Sequence, residues 1–347
     1  MKIQGEERRA VEFYPDTLQL SLINQLLLPH EIEFMQIQSY IEAADAITRM
    51  VVRGAPAIGA TGAYALALAA HESRAQTKEE LLKDLSISRD LLVAARPTAN
   101  DLRHWIDHVL ESARQEPTPS AIRSTATQEA VRIAEASAEE CRLIGEAAYH
   151  LIKGDTGVLT HCNAGALATV DHGTALAPIR RAAQDQQFTV YIGRTGPHFQ
   201  GARLTTWELA QENIHHVLVD DNAVFHHMAT GEISLVIVGC DRVALNGDVA
   251  NKIGTLGRAI AAKHFDLPFY VALPRTTFDK NCPNGSAIPL EEREADEILY
   301  TWNGPRLAPK GTPVRNFSFD ITPTQLITGY ITSQGIFSAH ELKAVFR

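Results

Sequence analysis

From Val158 onward the chain alternates short, continuously apolar runs with longer stretches of helical period. The runs are Gly157–His161, Phe188–Ile192, His216–Asp220, Leu235–Gly239 and Phe269–Leu273, each of strand length and rich in β-branched residues. Strands covered by helices on both faces read this way. Between the runs lie Thr174–Gln184, Ala202–Glu212, Ala223–Thr230 and Asn251–Phe265, each long enough to cross a sheet. The repeat is βαβ, and it predicts an α/β fold with a Rossmann-like parallel sheet.

The earlier part of the chain is patterned differently. Helical period over Ser39–Arg49, Ala57–Ala70, Lys78–Ala95 and Ala99–Glu111 predicts a smaller, mainly helical N-terminal domain, preceded by weaker strand and turn signals. Gln115–Ser120 places two prolines among polar residues and is the expected linker. A long helix over about Ser124–Ile152 follows it. The expected domains are therefore 1–123 and, with the linking helix, 124–347.

At 347 residues, 45% of them apolar, the chain has room for two domains with sizeable cores. Its formal charge of −9 and pI near 5.9 argue against a nucleic-acid or anionic-membrane partner, since either rewards a surplus of Lys and Arg. Any anionic ligand has to be held by a local site. The opening MKIQGEERRAVEF lacks the apolar core of a signal peptide. The Ala- and Gly-rich stretch Ala55–Ala70 is too short to span a bilayer and is flanked by Arg53 and His71. Cys141, Cys162, Cys240 and Cys282 are far apart and form no Cys-x-x-Cys pair, which fits a reducing cytoplasm.

Open parallel sheets bind ligands at the carboxyl ends of their strands. Here those ends carry His161-Cys162, Arg194, Asp220-Asp221, Cys240-Asp241 and Pro274-Arg275. Three further stretches suit an anion, because each sets small residues and a donor at an expected helix start. In Arg53-Gly-Ala-Pro56, proline takes a favoured early helical position, and Gly54 and Ala55 leave the backbone open. Gln200-Gly-Ala-Arg203 opens the helix before Trp207, and Asn246–Gly254 joins a tight turn to an amide, an ammonium and a helix start. No Walker A loop, G-x-G-x-x-G or G-x-S-x-G is present. The adjacent pairs His215-His216 and His226-His227 lack metal-ligand spacing, so no metal is expected.

Several stretches together resemble one family, the methylthioribose-1-phosphate isomerases, within the wider group that includes the regulatory subunits of translation initiation factor 2B. They are RGAPAIG at Arg53, ARPTA at Ala95, THCNAGALAT at Thr160, QGARLTTWEL at Gln200, DNAVFHHM at Asp221, VGCDRVALNGDVANKIGT at Val238, IPLEERE at Ile288 and FDITP at Phe319. The resemblance implies a cytoplasmic, homodimeric isomerase that acts without metal or organic cofactor in salvage of S-adenosylmethionine by-products. It turns a 5-substituted ribose 1-phosphate into the ribulose 1-phosphate. By the same resemblance Cys162 and Asp241 match the catalytic pair, and Arg53, Gly54, Ala55, Arg96, Gln200, Asn251 and Lys252 match the positions that bind substrate and phosphate.

Two features leave the substrate open. Where the family reads Glu-Thr-Arg-Pro, this chain reads Arg194-Thr-Gly-Pro197, exchanging an acid for a base and losing a guanidinium. Similar enzymes act on 5-deoxyribose 1-phosphate or ribose 1,5-bisphosphate, and Arg194 is a candidate partner for a second phosphate. The alternative from another class is a regulatory subunit that binds sugar phosphates or nucleotides without catalysis. On the isomerase reading, apolar neighbours such as Val236–Val238 are expected to keep Asp241 protonated as the acid, and Cys162 is the candidate thiolate.

Overall fold

The computed structural model describes residues 1–97 and 99–346; Thr98, inside the motif that starts at Ala95, and Arg347 lie outside them. Contacts divide the described chain into two units, Met1–Arg142 with Gly165–Gly173, and Leu143–Ala164 with Thr174–Arg347.

The first unit opens with a two-stranded ribbon, β1 (Lys2–Ile3) and β2 (Glu6–Glu7), and an antiparallel sheet of β3 (Val11–Tyr14), β4 (Gln19–Ile23) and β5 (Phe34–Ile37). Helices α1 (Tyr40–Thr48), α2 (Ala55–Glu72), α3 (Lys78–Ala94), α4 (Asn100–Arg114) and α5 (Pro119–Ala148) follow. Local signals set their starts. Ser39 accepts from Glu42 N to cap α1, and a reciprocal Thr77/Glu80 capping box starts α3. Helix α2 is buried from Ala57 to Ala70, which explains its Ala and Gly content. A Cβ on Gly62 would sit 2.5 Å from Leu102 Cδ1 of α4, so the leucine packs into the space the glycine leaves. Among the described residues no helix is long and apolar enough to cross a membrane.

Helix α5 starts earlier than its sequence pattern indicated, with Pro119 as its first residue. Arg123 donates to the carbonyls of Ala70, Ser73 and Ala75, and Thr127 meets His71 at 3.0 Å. These bonds tie its first turns to α2, so Gln115–Ser120 joins two helices of one unit, and the division falls after Arg142 rather than at residue 123. The segment Gly165–Gly173 also belongs with the first unit, a long-range placement that no local pattern encodes.

The second unit is built on β6 (Gly157–Thr160), β7 (Thr189–Gly193), β8 (His216–Val219), β9 (Leu235–Val238), β12 (Phe269–Ala272), β15 (Gly329–Thr332) and β16 (Gly335–Phe337). A smaller sheet holds β10 (Arg242–Ala244), β11 (Val249–Lys252), β13 (Phe278–Asp279) and β14 (Phe319–Thr322). The helices are α6 (Leu176–Ala182), α7 (Thr206–Gln211), α8 (Val224–Ala229), α9 (Thr255–His264), α10 (Asp296–Leu299) and α11 (Ala339–Val345). The large sheet has order β16-β15-β12-β9-β6-β7-β8 and is parallel except for the edge strand β16.

Each strand alternates its side chains between two cores. Val158, Val190, Ile192, Leu235 and Ile237 pack with Leu176, Ile179 and Leu209 of α6 and α7. Leu159, Tyr191, Val236 and Val238 pack with residues of α8, α9 and α11. Both faces of β6, β7 and β9 are therefore covered, which is why their runs are apolar throughout; the edge strand β8 leaves Val217 and Leu218 exposed.

One expected helix is shorter than its pattern. Asn251 and Lys252 end strand β11 of a hairpin with β10, and α9 begins only after Gly254, whose φ of 98° takes the left-handed region that glycine favours. The turn Asn246–Asp248 closes that hairpin. Asp248 accepts from Gly285 N, Thr324 N and Asn246 Nδ2, and Tyr330 donates to Gly247 O, so this part of the loop is structural.

Candidate active site

The large sheet reverses its strand order between β6 and β9: from β6 the chain adds β7 and β8 on one side, then returns to lay β9 against β6 on the other. In such sheets the crevice outside the carboxyl ends at that point is where ligands bind. Cys162 follows β6 and Asp241 follows β9, so the sequence-predicted pair flanks the reversal on neighbouring strands.

Cys162 is 9% exposed and has φ = 61°, a left-handed conformation unusual for a residue with a side chain. The surroundings hold it there. Its N–H donates to Thr195 Oγ1 at 3.0 Å, and its carbonyl accepts from Thr205 Oγ1 at 2.7 Å. The next residue, Asn163, donates to Thr205 Oγ1 and to Glu208 Oε1 at 2.7 Å. Glu208 has a fully buried side chain and is paired with Arg180, which also binds Glu212. Burial opposes the Arg180 charge, but the two carboxylates outweigh it and raise its pKa. Small residues close the loop tightly: a Cβ on Gly239 would lie 2.6 Å from the Ala164 methyl.

Beneath this loop His161 is 1% exposed and has its Nε2 2.9 Å from the Ile253 carbonyl. An N–H there donates to that oxygen, which leaves Nδ1 as an acceptor 3.4 Å from Thr195 Oγ1. Burial, reinforced by the Arg258 charge, holds its pKa well below the usual 6.5, so the imidazole is neutral.

Asp241 differs from its expected setting. Val236, Ile237 and Val238 are fully buried within β9, whereas Asp241 lies past the strand end and is exposed, its N–H bonded to Ala250 O at 3.0 Å. The strand's apolar residues point into the cores and do not enclose the carboxyl.

The other predicted residues of this unit cluster on the same segments. Gln200 is 8% exposed, and its buried Oε1 has no hydrogen-bond partner among the described residues. It precedes a π-helical turn, Gly201–Thr205, that leads into α7; such turns are frequent at functional sites. Asn251 is 5% exposed and donates to Thr255 Oγ1, while Lys252 Nζ lies 4.7 Å from the centre of the Phe319 ring. Asp320, from the FDITP motif, accepts from Gly254 N and Leu256 N and so fixes the start of α9.

Arg53, Gly54, Ala55 and Arg96 belong to the first unit. Gly54 has φ = 96°, and a Cβ there would lie 2.2 Å from Ala168 O, so only glycine fits at the start of α2. Arg194 is 47% exposed; it pairs with Asp220 at 3.1 Å and lies over the Phe199 ring. The histidine pairs serve structural contacts, with His227 bonded to Glu232. Sequence reading passed over Thr195 and Arg258, and it noted Asp221 only as a strand-end residue and the start of DNAVFHHM, without a role. Asp221 accepts from Thr195 N and Gly196 N and from Arg258, and its place after β8 was the one signal available for it.

With this architecture, residues 51–339 match the Initiation factor 2 subunit family, and the chain belongs to that family. It is 46% identical over 320 residues to the methylthioribose-1-phosphate isomerase of Acetivibrio thermocellus, covering 91% of this chain and 93% of that one. It is 42% identical to the methylthioribose-1-phosphate isomerase of Geobacillus thermodenitrificans, covering 94% and 92%. Two solved structures share the fold across nearly the whole chain. The 5-methylthioribose 1-phosphate isomerase of Pyrococcus horikoshii OT3 gives a TM-score of 0.91 at 36% identity, covering 98% and 96%. The translation initiation factor eIF-2B subunit delta from A. fulgidus gives 0.88 at 38%, covering 97% and 98%.

Proposed function

We propose that this chain isomerises 5-methylthioribose 1-phosphate to the corresponding ribulose 1-phosphate, with Cys162 and Asp241 as the groups that act on the sugar. The observation that carries this reading is their placement at the tips of β6 and β9, on either side of the strand-order reversal. The names of the relatives from Acetivibrio and Geobacillus point to the same substrate.

A sugar with phosphate on its anomeric oxygen cannot open by simple mutarotation. Substrate covering the exposed Asp241 carboxyl favours its protonated form, and that proton passes to the ring oxygen as the bond from the oxygen to C1 breaks. The C2 hydrogen then moves to C1, and the C2 hydroxyl becomes the ketone as its proton returns to the carboxylate. Cys162 as thiolate takes the C2 proton, leaving an enol phosphate, and delivers it to C1; the competing route is a direct hydride shift in a site the thiol helps to shape. Gln200, Asn251 and Lys252 are assigned to the sugar and its phosphate, and Arg53, Gly54, Ala55 and Arg96 stand as substrate-binding candidates on the family resemblance alone.

Arg194 is engaged by Asp220 and Phe199, which supports a neutral 5-substituent over a second phosphate. The test is kcat/KM for the 1-phosphates of 5-methylthioribose and 5-deoxyribose and for ribose 1,5-bisphosphate. Discrimination between the first two stays modest, because a pocket gains only about 1–3 kcal/mol per methylene-sized group. Preference for the bisphosphate overturns the assignment, and activity on none of the three returns the chain to a regulatory, non-catalytic role. A cytoplasmic homodimer is part of the proposal. All four cysteines are free thiols, which suits a reducing compartment, and light scattering of the purified chain tests the dimer.

A further inference from the structure

Arg258 has no role in the steps above, yet the fold makes room for it. It is 2% exposed on α9, and its guanidinium fills space left by two glycines: a Cβ on Gly193 would lie 2.5 Å from one terminal nitrogen, and one on Gly254 2.8 Å from the other. One terminal nitrogen donates to Gly254 O at 2.9 Å and the other to Asp221 Oδ1 at 2.7 Å, while its Nε is buried without a partner among the described residues. The Asp221 carboxylate also accepts from Thr195 N and Gly196 N, each at 2.9 Å, and Thr195 Oγ1 receives the Cys162 N–H. A buried cation is thus linked through one carboxylate and one hydroxyl to the backbone of the strained cysteine.

We propose that Arg258 is a positioning residue for Cys162: through Asp221 and Thr195 it holds the cysteine in its left-handed conformation, and it sets a buried positive charge behind the loop that carries the thiol. The charged and titratable groups around this arrangement are Asp221 and Asp320 beside Arg258, neutral His161 next to Cys162, and Lys252, whose charge acts on His161. Burial lowers the Arg258 pKa, opposed first by the Asp221 carboxylate that pairs with it and then by Asp320.

The inference rests on the reading that Cys162 works as a thiolate, but its test needs no turnover. The rate at which iodoacetamide alkylates Cys162 is followed against pH in the full chain, with the modified peptide identified by mass so that the other cysteines are separated. Arg258→Met is expected to slow alkylation about tenfold at pH 7, the effect of an opposite charge that shifts a thiol by about one unit, and Arg258→Lys to restore most of it. Asp221→Asn removes the anion that offsets Arg258 and is expected to speed alkylation. Opposite signs for the two substitutions separate an electrostatic role from general loosening of the loop. An unchanged rate in folded Arg258→Met, or a slower one in Asp221→Asn, overturns the proposal. Should Arg258→Met not fold, Arg258→Gln takes its place, with the same slowing expected and the same outcome overturning the proposal. Failure of the isomerase reading shows separately, as full activity in Cys162→Ser.

Discussion

The Cys162 N–H donates to Thr195 Oγ1 at 3.0 Å, and both residues hold left-handed backbone, with φ of 61° and 64°. For a β-branched threonine that conformation is a true outlier. Thr195 is kept there by its own N–H on Asp221 and its hydroxyl on Gly193 O. The two strained residues hold each other at the tips of adjacent strands. Thr195→Val preserves shape while removing the acceptor from a buried N–H, a loss of about 1–3 kcal/mol. Lower stability in denaturant titration and at least a tenfold fall in kcat/KM, about 1.4 kcal/mol, are the expected outcomes.

Cys162→Ser and Asp241→Asn should each lower kcat by about 10²-fold or more, the scale of general acid-base groups, without loss of folding. The double variant should lose little beyond the worse single one, because groups acting as a unit give non-additive kinetics. Product formed in D₂O then bears on the route: deuterium at C1 marks proton transfer by the thiolate, and its absence fits either the hydride shift or a thiol proton shielded from solvent.

Lys252→Met removes a charge-assisted contact typically worth about 1.5–3 kcal/mol. The expected result is a KM raised by at least tenfold with a well-folded protein. Isothermal titration with product should show the same weakening.

The neutral, buried His161 makes a pH prediction with a definite sign. Its pKa is depressed in the folded chain, so both states are neutral above about pH 6.5 and the residue leaves stability unchanged there. As pH falls below 6.5, the unfolded chain takes up a proton that the folded one refuses, and stability declines. Denaturant midpoints at pH 7.5 and 5.5 should therefore differ more for the native chain than for His161→Gln.

Much of the parallel sheet was legible because its strands are buried on both faces, and residues such as Val236 and Ile237 cannot be polar on either side. Cys162 and Asp241 were legible because they follow such runs. The hairpin of β10 and β11 was not, since Val243-Ala244 and Val249-Ala250 are too short to show a period, and Asn251-Lys252 therefore read as the start of a helix. Nor could sequence show that Asp241 stays exposed, because burial of neighbours in a strand says nothing about the loop beyond it. Arg258 looked like any helical cation; its burial depends on Gly193, distant in the chain, as well as on Gly254 at the start of its own helix.

The reversal of strand order also has a kinetic meaning. Pairing of β6 with β9 closes a loop containing β7, α7, β8 and α8, so it incurs the entropy of a long closure before its contacts form. Helix formation needs no such closure and comes first. During refolding from denaturant, circular dichroism should recover ahead of turnover, because the thiol and the carboxyl become neighbours only when β9 docks.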